Sequence, residues 1–207
     1  MPPDGPAYPD APWRLHGSMW VSLFWLPRTG HGAGGARPRG LWGAAWVDYT
    51  DPSPLTYREL LVARPVRRGA AVRVEVTDIW VDSPASWAGG RALWAIPKGL
   101  AAFDSPGSPA GSPSGGAWSA AVEDVPTATT SVTDRGHGGP RVPLRFTTDQ
   151  PALPESGGPR VTPVSGSARV RPLRARWDLP PDGPLSWLAA ARPLGSVRLE
   201  GFRLRFG

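Results

Sequence analysis

Lys98 is the one lysine in a chain whose other twenty-two basic side chains, histidine aside, are arginine. It lies in Leu93-Trp94-Ala95-Ile96-Pro97-Lys98-Gly99-Leu100, with Phe103 following, so its sequence neighbours are mostly apolar. Pro97 fixes its own φ and biases Ile96 towards extended backbone. A strand ending in an amine held in apolar surroundings is the expectation. Burial disfavours the charged form of an amine, and a neutral amine is the nucleophile that carbonyl chemistry requires. Arginine cannot do this, because a guanidinium stays protonated. The stretch therefore points to a Schiff-base lysine. The commoner use of lysine, a stem covering apolar surface with the head in water, is outweighed by the exclusive use of arginine elsewhere. A second chemical residue is Glu59, an acid inside the apolar run Leu55 to Ala63. Spacing alone favours a solvent-facing acid balanced by Arg58 or Arg64. The chemical alternative is a carboxylate whose pKa is raised by apolar surroundings and which shuttles a proton.

The elements that must position these two residues read as strands. The chain has 207 residues, which suits one domain over 1–207, and its 27 prolines and 26 glycines leave little room for long helices. Residues 1–10 are expected as a flexible lead, and the Ser-Pro-Gly repeats of 104–116 as a surface loop. Strands are expected at Trp20 to Leu26, a nearly all-apolar run suited to a central position, at Leu41 to Tyr49, and at Leu55 to Ala63 after the turn Asp51-Pro52-Ser53-Pro54. Ala71 to Val81 alternates, with Val72, Val74 and Val76 on one face and Arg73, Glu75 and Thr77 on the other. Ser83-Pro84 reads as a cap and first residue of a short helix, Pro84 to Trp87, ended by Gly89-Gly90. Further strands are expected at Trp118 to Val122, Thr127 to Thr133, Val142 to Thr147, Ala168 to Trp177 and Ser196 to Phe206, with a short helix at Leu185 to Ala191. In the last strand Val197 and Leu199 share a face that Phe202, Leu204 and Phe206 resume after Gly201, the phase shift of a bulge. The resulting fold class is β-rich, an antiparallel barrel or sandwich with a few short helices.

Composition excludes several chemistries. Without cysteine there are no disulfides, thiolates or cysteine-ligated zinc. His16, His31 and His137 are far apart, so no metal site is expected. Gly30 to Gly35 matches G-x-G-x-x-G, but Pro38 and Gly40 follow where a dinucleotide fold opens a helix, so a mobile loop is expected and no cofactor is implied. His137-Gly138-Gly139 has no Gly-x-Ser-x-Gly nucleophile to serve. The net charge of +6 is spread along the chain, which argues against nucleic acid. With no secretory h-region and no apolar run of membrane-spanning length, a soluble cytoplasmic protein is expected, with no membrane partner.

Several blocks, in order, carry a resemblance: Pro12-Trp13-Arg14-Leu15-His16, then Tyr57-Arg58-Glu59, then Gly90-Arg91 followed by Pro97-Lys98 and Leu100, and the terminal strand Val197 to Phe206. On these the chain resembles the acetoacetate decarboxylase family over most of its length. The resemblance implies a β-rich α+β, barrel-like fold that oligomerises with copies of itself. It implies Lys98 as the Schiff-base lysine and Glu59 as an active-site carboxylate, and it places Arg14, Arg91, Tyr57 and Trp94 near a small carbonyl or keto-acid substrate. This sequence departs from the family's pattern at three places. Gly99 stands where a second lysine often follows the first, Ser18 where an arginine stands, and Gly43 to Ala45 where a second acid is expected. Arg14, Arg28 or Arg91 are the candidates to replace the arginine. Decarboxylation, or aldol and dehydration chemistry through the same iminium, is the implied activity. The reading from another class is a catalytically inactive pocket of the same fold, its tryptophans binding small apolar ligands.

Overall fold

Side chains on a strand alternate between the two faces of its sheet, so a strand buried on both faces is apolar almost throughout. The second long strand, Gly40–Tyr49, has this character, and so does the buried first half of the third, Tyr57–Arg68, apart from Arg58 and Glu59. They sit inside a large sheet rather than at its edge. The computed structural model describes residues 5–32, 35–104 and 116–207. In chain order its strands are β1 (Trp13–Leu26), β2 (Gly30–Gly32), β3 (Gly35–Arg37), β4 (Gly40–Tyr49), β5 (Tyr57–Arg68) and β6 (Ala71–Val81). The helix α1 (Pro84–Trp94) follows, then β7 (Lys98–Leu100), β8 (Ala102–Asp104), β9 (Gly116–Val122), β10 (Val125–Asp134), β11 (Arg141–Leu153), β12 (Gly158–Asp178) and β13 (Arg192–Phe206). Short 3-10 turns occupy Pro154–Ser156 and Ser186–Ala190.

The strands β6-β5-β4-β1-β13-β12-β11 pair in that order, each antiparallel to the next. β11 then returns to β6 through a single parallel pair, Thr148 with Val74. The result is barrel-like, with a seam where the backbone ladder is thin. Side chains hold that seam. Asp149 of β11 accepts from Arg68 of β5 at 3.0 Å and Arg73 of β6 at 3.3 Å. The buried Gln150 carboxamide, its nitrogen turned to the Val76 carbonyl, donates to that oxygen at 3.1 Å and accepts from the Val76 amide at 2.9 Å. A side chain thus supplies the two bonds that a neighbouring strand would have made.

Each face of β4 and β5 packs a separate core. On the outer face Trp42, Ala44 and Trp46 meet Leu60, Val62 and Trp118, and β8, β9 and β10 extend the sheet beyond β12. Trp46 stacks on Trp118 and its indole donates to Thr130 Oγ1 at 2.9 Å. On the inner face Trp13, Leu15, Val47, Tyr49, Tyr57, Ile79, Trp94 and Leu204 form the second core. No helix among the described residues is long and apolar enough to cross a membrane.

The structure corrects four expectations. β1 begins at Trp13, seven residues ahead of the apolar run, because its first half buries Trp13 and Leu15 in the inner core. Gly30 to Gly32 and Gly35 to Arg37 pair as a small hairpin rather than forming only a loop. The helix starts as expected, Ser83 Oγ accepting from the Ser86 amide at 3.2 Å, but it continues through Gly89 and Gly90 to a left-handed Ala95. Both glycines are there for close approach. A Cβ on Gly89 would lie 2.8 Å from the Trp13 ring, and one on Gly90 would lie 2.7 Å from the Lys98 stem. Lys98 therefore follows a helix and opens β7, rather than ending a strand. The bulge stands as expected: Gly201 has φ of 52° and the register shifts on both sides of it. Most of the 104–116 loop, residues 105–115, lies outside the described residues. Residues 5–10 have no regular structure, and the Pro9 carbonyl accepts from the Trp13 indole at 2.9 Å.

Candidate active site

The period of β5 decides the site. Tyr57, Glu59, Leu61 and Ala63 are two apart and face the barrel interior, while Leu60 and Val62 fill the outer core. Glu59 is thus 3 % exposed and does not face solvent opposite Arg58 or Arg64. Across the ladder Tyr49 lies opposite Tyr57, and its hydroxyl donates to Glu59 Oε1 at 3.1 Å. The amine arrives from the opposite direction. After the left-handed Ala95, Ile96 and Pro97 turn the chain so that Lys98 pairs with Ile79 in a parallel strand, its stem lying over Gly90. Helix α1 and β7 together act as an arm that inserts one side chain.

Lys98 is 4 % exposed. Its Nζ lies 3.0 Å from Glu59 Oε2, donates to Ser86 Oγ at 2.8 Å and to Tyr57 Oη at 3.3 Å, and stands 4.9 Å from the centre of the Tyr57 ring. An ammonium carries three donors, and each has a partner. Burial acts to depress the Lys98 pKa and is the largest single influence, but the Glu59 charge, helped by Tyr57, outweighs it and holds the amine above its ordinary value of 10.5. The neutral amine expected from the apolar sequence neighbours is therefore a buried ammonium paired to a carboxylate. The pairing depends on strand phase, which brings Glu59 inward. Burial also raises the Tyr57 phenol, and burial together with the Glu59 charge raises Tyr49 well above 10.0, so both remain donors near neutral pH.

The amine opens on a cavity of about 150 Å³ to which all seven strands of the barrel contribute. Its lining is apolar except for Lys98, Glu59, Tyr49, Tyr57 and Thr148. Trp94 forms part of the wall, edge-on to Trp13 with ring centres 4.7 Å apart. The lining reaches the surface at Phe146, which is 41 % exposed.

Of the residues singled out from sequence, Lys98, Glu59, Tyr57 and Trp94 are brought together here, and the arginines are not. Arg14 lies between the inward Trp13 and Leu15 and is exposed on the other face, as is Arg28 in its turn. Arg91 pairs with Glu155 at 3.0 Å and donates to the Lys98 carbonyl at 3.1 Å. It braces the backbone that carries the lysine and does not line the cavity. Sequence reading missed Ser86, Tyr49 and Gly90. Tyr49 was reachable, since it sits on the same face as Val47 at the end of an expected strand. Gly90 was concealed by being read as the end of the helix, whereas Ser86 lay inside the expected helix with no local signal that it would meet Lys98.

The β-rich, barrel-like α+β architecture is similar to the acetoacetate decarboxylase-like fold on comparison with solved structures. The enduracididine biosynthesis enzyme MppR complexed with pyruvate matches with a TM-score of 0.66 at 17% identity, over 96% of this chain and 89% of that one. Acetoacetate decarboxylase from Legionella pneumophila matches with a TM-score of 0.65 at 14% identity, over 100% and 89% of the two chains. An acetoacetate decarboxylase-like enzyme from Sphingomonas wittichii matches at 0.63 and 16% identity, over 96% and 91%. No protein-family model and no curated protein sequence matches the chain.

Proposed function

We propose that the protein is an imine-forming enzyme in which Lys98 attacks the carbonyl carbon of a small aldehyde or ketone. The observation that carries this is a buried primary amine paired to a buried acid at the wall of a small apolar cavity. Two solved structures of this fold support the chemistry, MppR with pyruvate and MppR with the condensation product of pyruvate and imidazole 4-carboxaldehyde.

The resting ammonium first hands a proton to Glu59, 3.0 Å away. This step discharges both partners, so a dry cavity does not oppose it as it would the creation of charge. The free amine forms the Nζ–C bond, and protonated Glu59 returns its proton to the carbinolamine hydroxyl, which leaves as water. The iminium then accepts the electron pair of a bond breaking beside it, dividing one hard step into easier ones. Tyr49, held on Glu59 Oε1 at 3.1 Å, leaves Oε2 as the oxygen that exchanges protons.

Reductive trapping tests the proposal. Borohydride added to protein with a panel of small ketones and aldehydes is expected to give a secondary-amine adduct at Lys98, located by peptide mass. A Lys98→Arg variant should show no adduct beyond its N-terminal amine. A folded wild-type protein that forms no adduct with any carbonyl of the panel would overturn the reading.

A further inference from the structure

The charge inventory of the cavity narrows what can enter it. Among the described residues its lining holds one cation, Lys98, and one anion, Glu59, which already neutralise each other at 3.0 Å. No described arginine or histidine lines it. The residues outside the described set, 1–4, 33–34 and 105–115, contain no arginine, lysine or histidine, so no other basic side chain of this chain is available to be added to the wall. The remaining polar side chains, Tyr49, Tyr57 and Thr148, are neutral, and Tyr49 is committed to Glu59. We infer that the compound Lys98 captures is an uncharged aldehyde or ketone, and that oxo acids bearing a free carboxylate are excluded. This rests on the imine-forming reading of Lys98 and gives it a substrate class.

Proton counting gives the physical reason. When an ammonium condenses with a neutral carbonyl, Nζ bonds to the carbonyl carbon. The carbonyl oxygen departs as water with two of the three ammonium protons, and the iminium keeps the third and the positive charge. The iminium then faces ionised Glu59 as the ammonium did, and the cavity is neutral before and after. An oxo acid brings one negative charge with no partner. Its carboxylate must compete with Glu59 for the single cation or enter with an extra proton, and a charge set against this apolar wall without a partner is disfavoured. Size agrees with a small neutral compound, since a cavity of about 150 Å³ accepts a molecule such as benzene, roughly six non-hydrogen atoms. Without a carboxylate beside the iminium no CO2 can leave, so the bond cleaved or formed is carbon to carbon in the aldol sense, or carbon to a departing hydroxyl.

The discriminating pair is pyruvate against methyl pyruvate, which keeps the activated ketone and deletes the charge. Each is incubated with wild-type protein and cyanoborohydride at mildly alkaline pH, and labelling at Lys98 is followed by intact mass and peptide mapping. Each rate is divided by that of N-acetyl-lysine to remove intrinsic reactivity. Methyl pyruvate is expected to label Lys98 at least about tenfold faster than pyruvate on this scale, the factor that corresponds to a modest share of a buried-charge penalty. A smaller ratio, or a preference for pyruvate, overturns the substrate class while leaving the lysine's role intact. Labelling by neither, nor by the wider panel, overturns both.

Discussion

On the proposed imine chemistry the Lys98–Glu59 pair sets both stability and reactivity, and the two depend differently on its countercharge. Removing one partner of a buried ion pair leaves the other charge uncompensated, a loss of about 3–5 kcal/mol. Glu59→Gln should lower stability by that order, measured by urea denaturation near neutral pH. The same variant removes the influence that holds the Lys98 pKa up, and burial, the largest influence, then acts with less opposition. Its amine should titrate below the wild-type value, and its stability should fall further as pH is lowered through that depressed pKa. In the wild type a pKa above 10.5 means that the free amine is scarce at neutral pH. Because the ammonium proton passes to Glu59 within the pair, the reactive form holds as many protons as the resting one, and wild-type trapping rates should stay level across neutral pH, whereas in Glu59→Gln, which lacks the acceptor, they should climb with pH. A steady climb in the wild type would show that the proton must first be lost to solvent.

Helix α1 and β7 work as one lever, and its fulcrum is Gly89-Gly90. Glycine inside a helix costs about 1 kcal/mol relative to alanine, so both positions sacrifice propensity for proximity. Gly89→Ala places a methyl 2.8 Å from the rigid Trp13 ring, and overpacking of about 1–3 kcal/mol should exceed the propensity gain, giving a lower melting temperature. Gly90→Ala meets only the flexible stem of Lys98, at 2.7 Å. Its melting temperature should change little, while displacement of Nζ from Glu59 should reduce imine trapping by about tenfold or more. Equal losses in both variants would mean that the two glycines serve the helix alone.

At the scale of the molecule, the barrel-like ring depends on a seam that one backbone pair and a few side chains close. Gln150→Leu fills the same space but leaves the Val76 amide and carbonyl without those partners, each costing about 1–3 kcal/mol when buried. Denaturation should register that loss, with little change expected from a surface substitution such as Val161→Thr, since Val161 is 52 % exposed. The buried titrating groups set a second global property. Lys98, Tyr57 and Tyr49 all have folded pKa values raised above ordinary values of 10.5 and 10.0. For a raised pKa the folded state binds more protons, so stability is fully present below the unfolded value and is lost as pH rises past it. Unfolding midpoints should stay level as these groups remain protonated and then fall above about pH 10, where the unfolded tyrosines and lysine begin to release protons.

Sequence alone determined the features that obey local rules. Alternation gave Ala71 to Val81 to the residue, the phase slip at Gly201 identified the bulge, and Ser83-Pro84 marked where the helix begins. The solitary lysine among arginines singled out the amine that is proposed to react, because that choice is a matter of chemistry and not of neighbours in space. Tertiary structure decided the rest, since each remaining fact depends on groups distant along the chain. Glycines that end helices in isolation are tolerated in α1 because Trp13 and Lys98 need the room. Glu59 could face solvent or interior on spacing alone, and only a strand buried on both faces turns it inward. Once inside it reverses the charge state that burial by itself would impose on Lys98, for a pKa answers to the nearest charge in space and sequence neighbours do not reveal it.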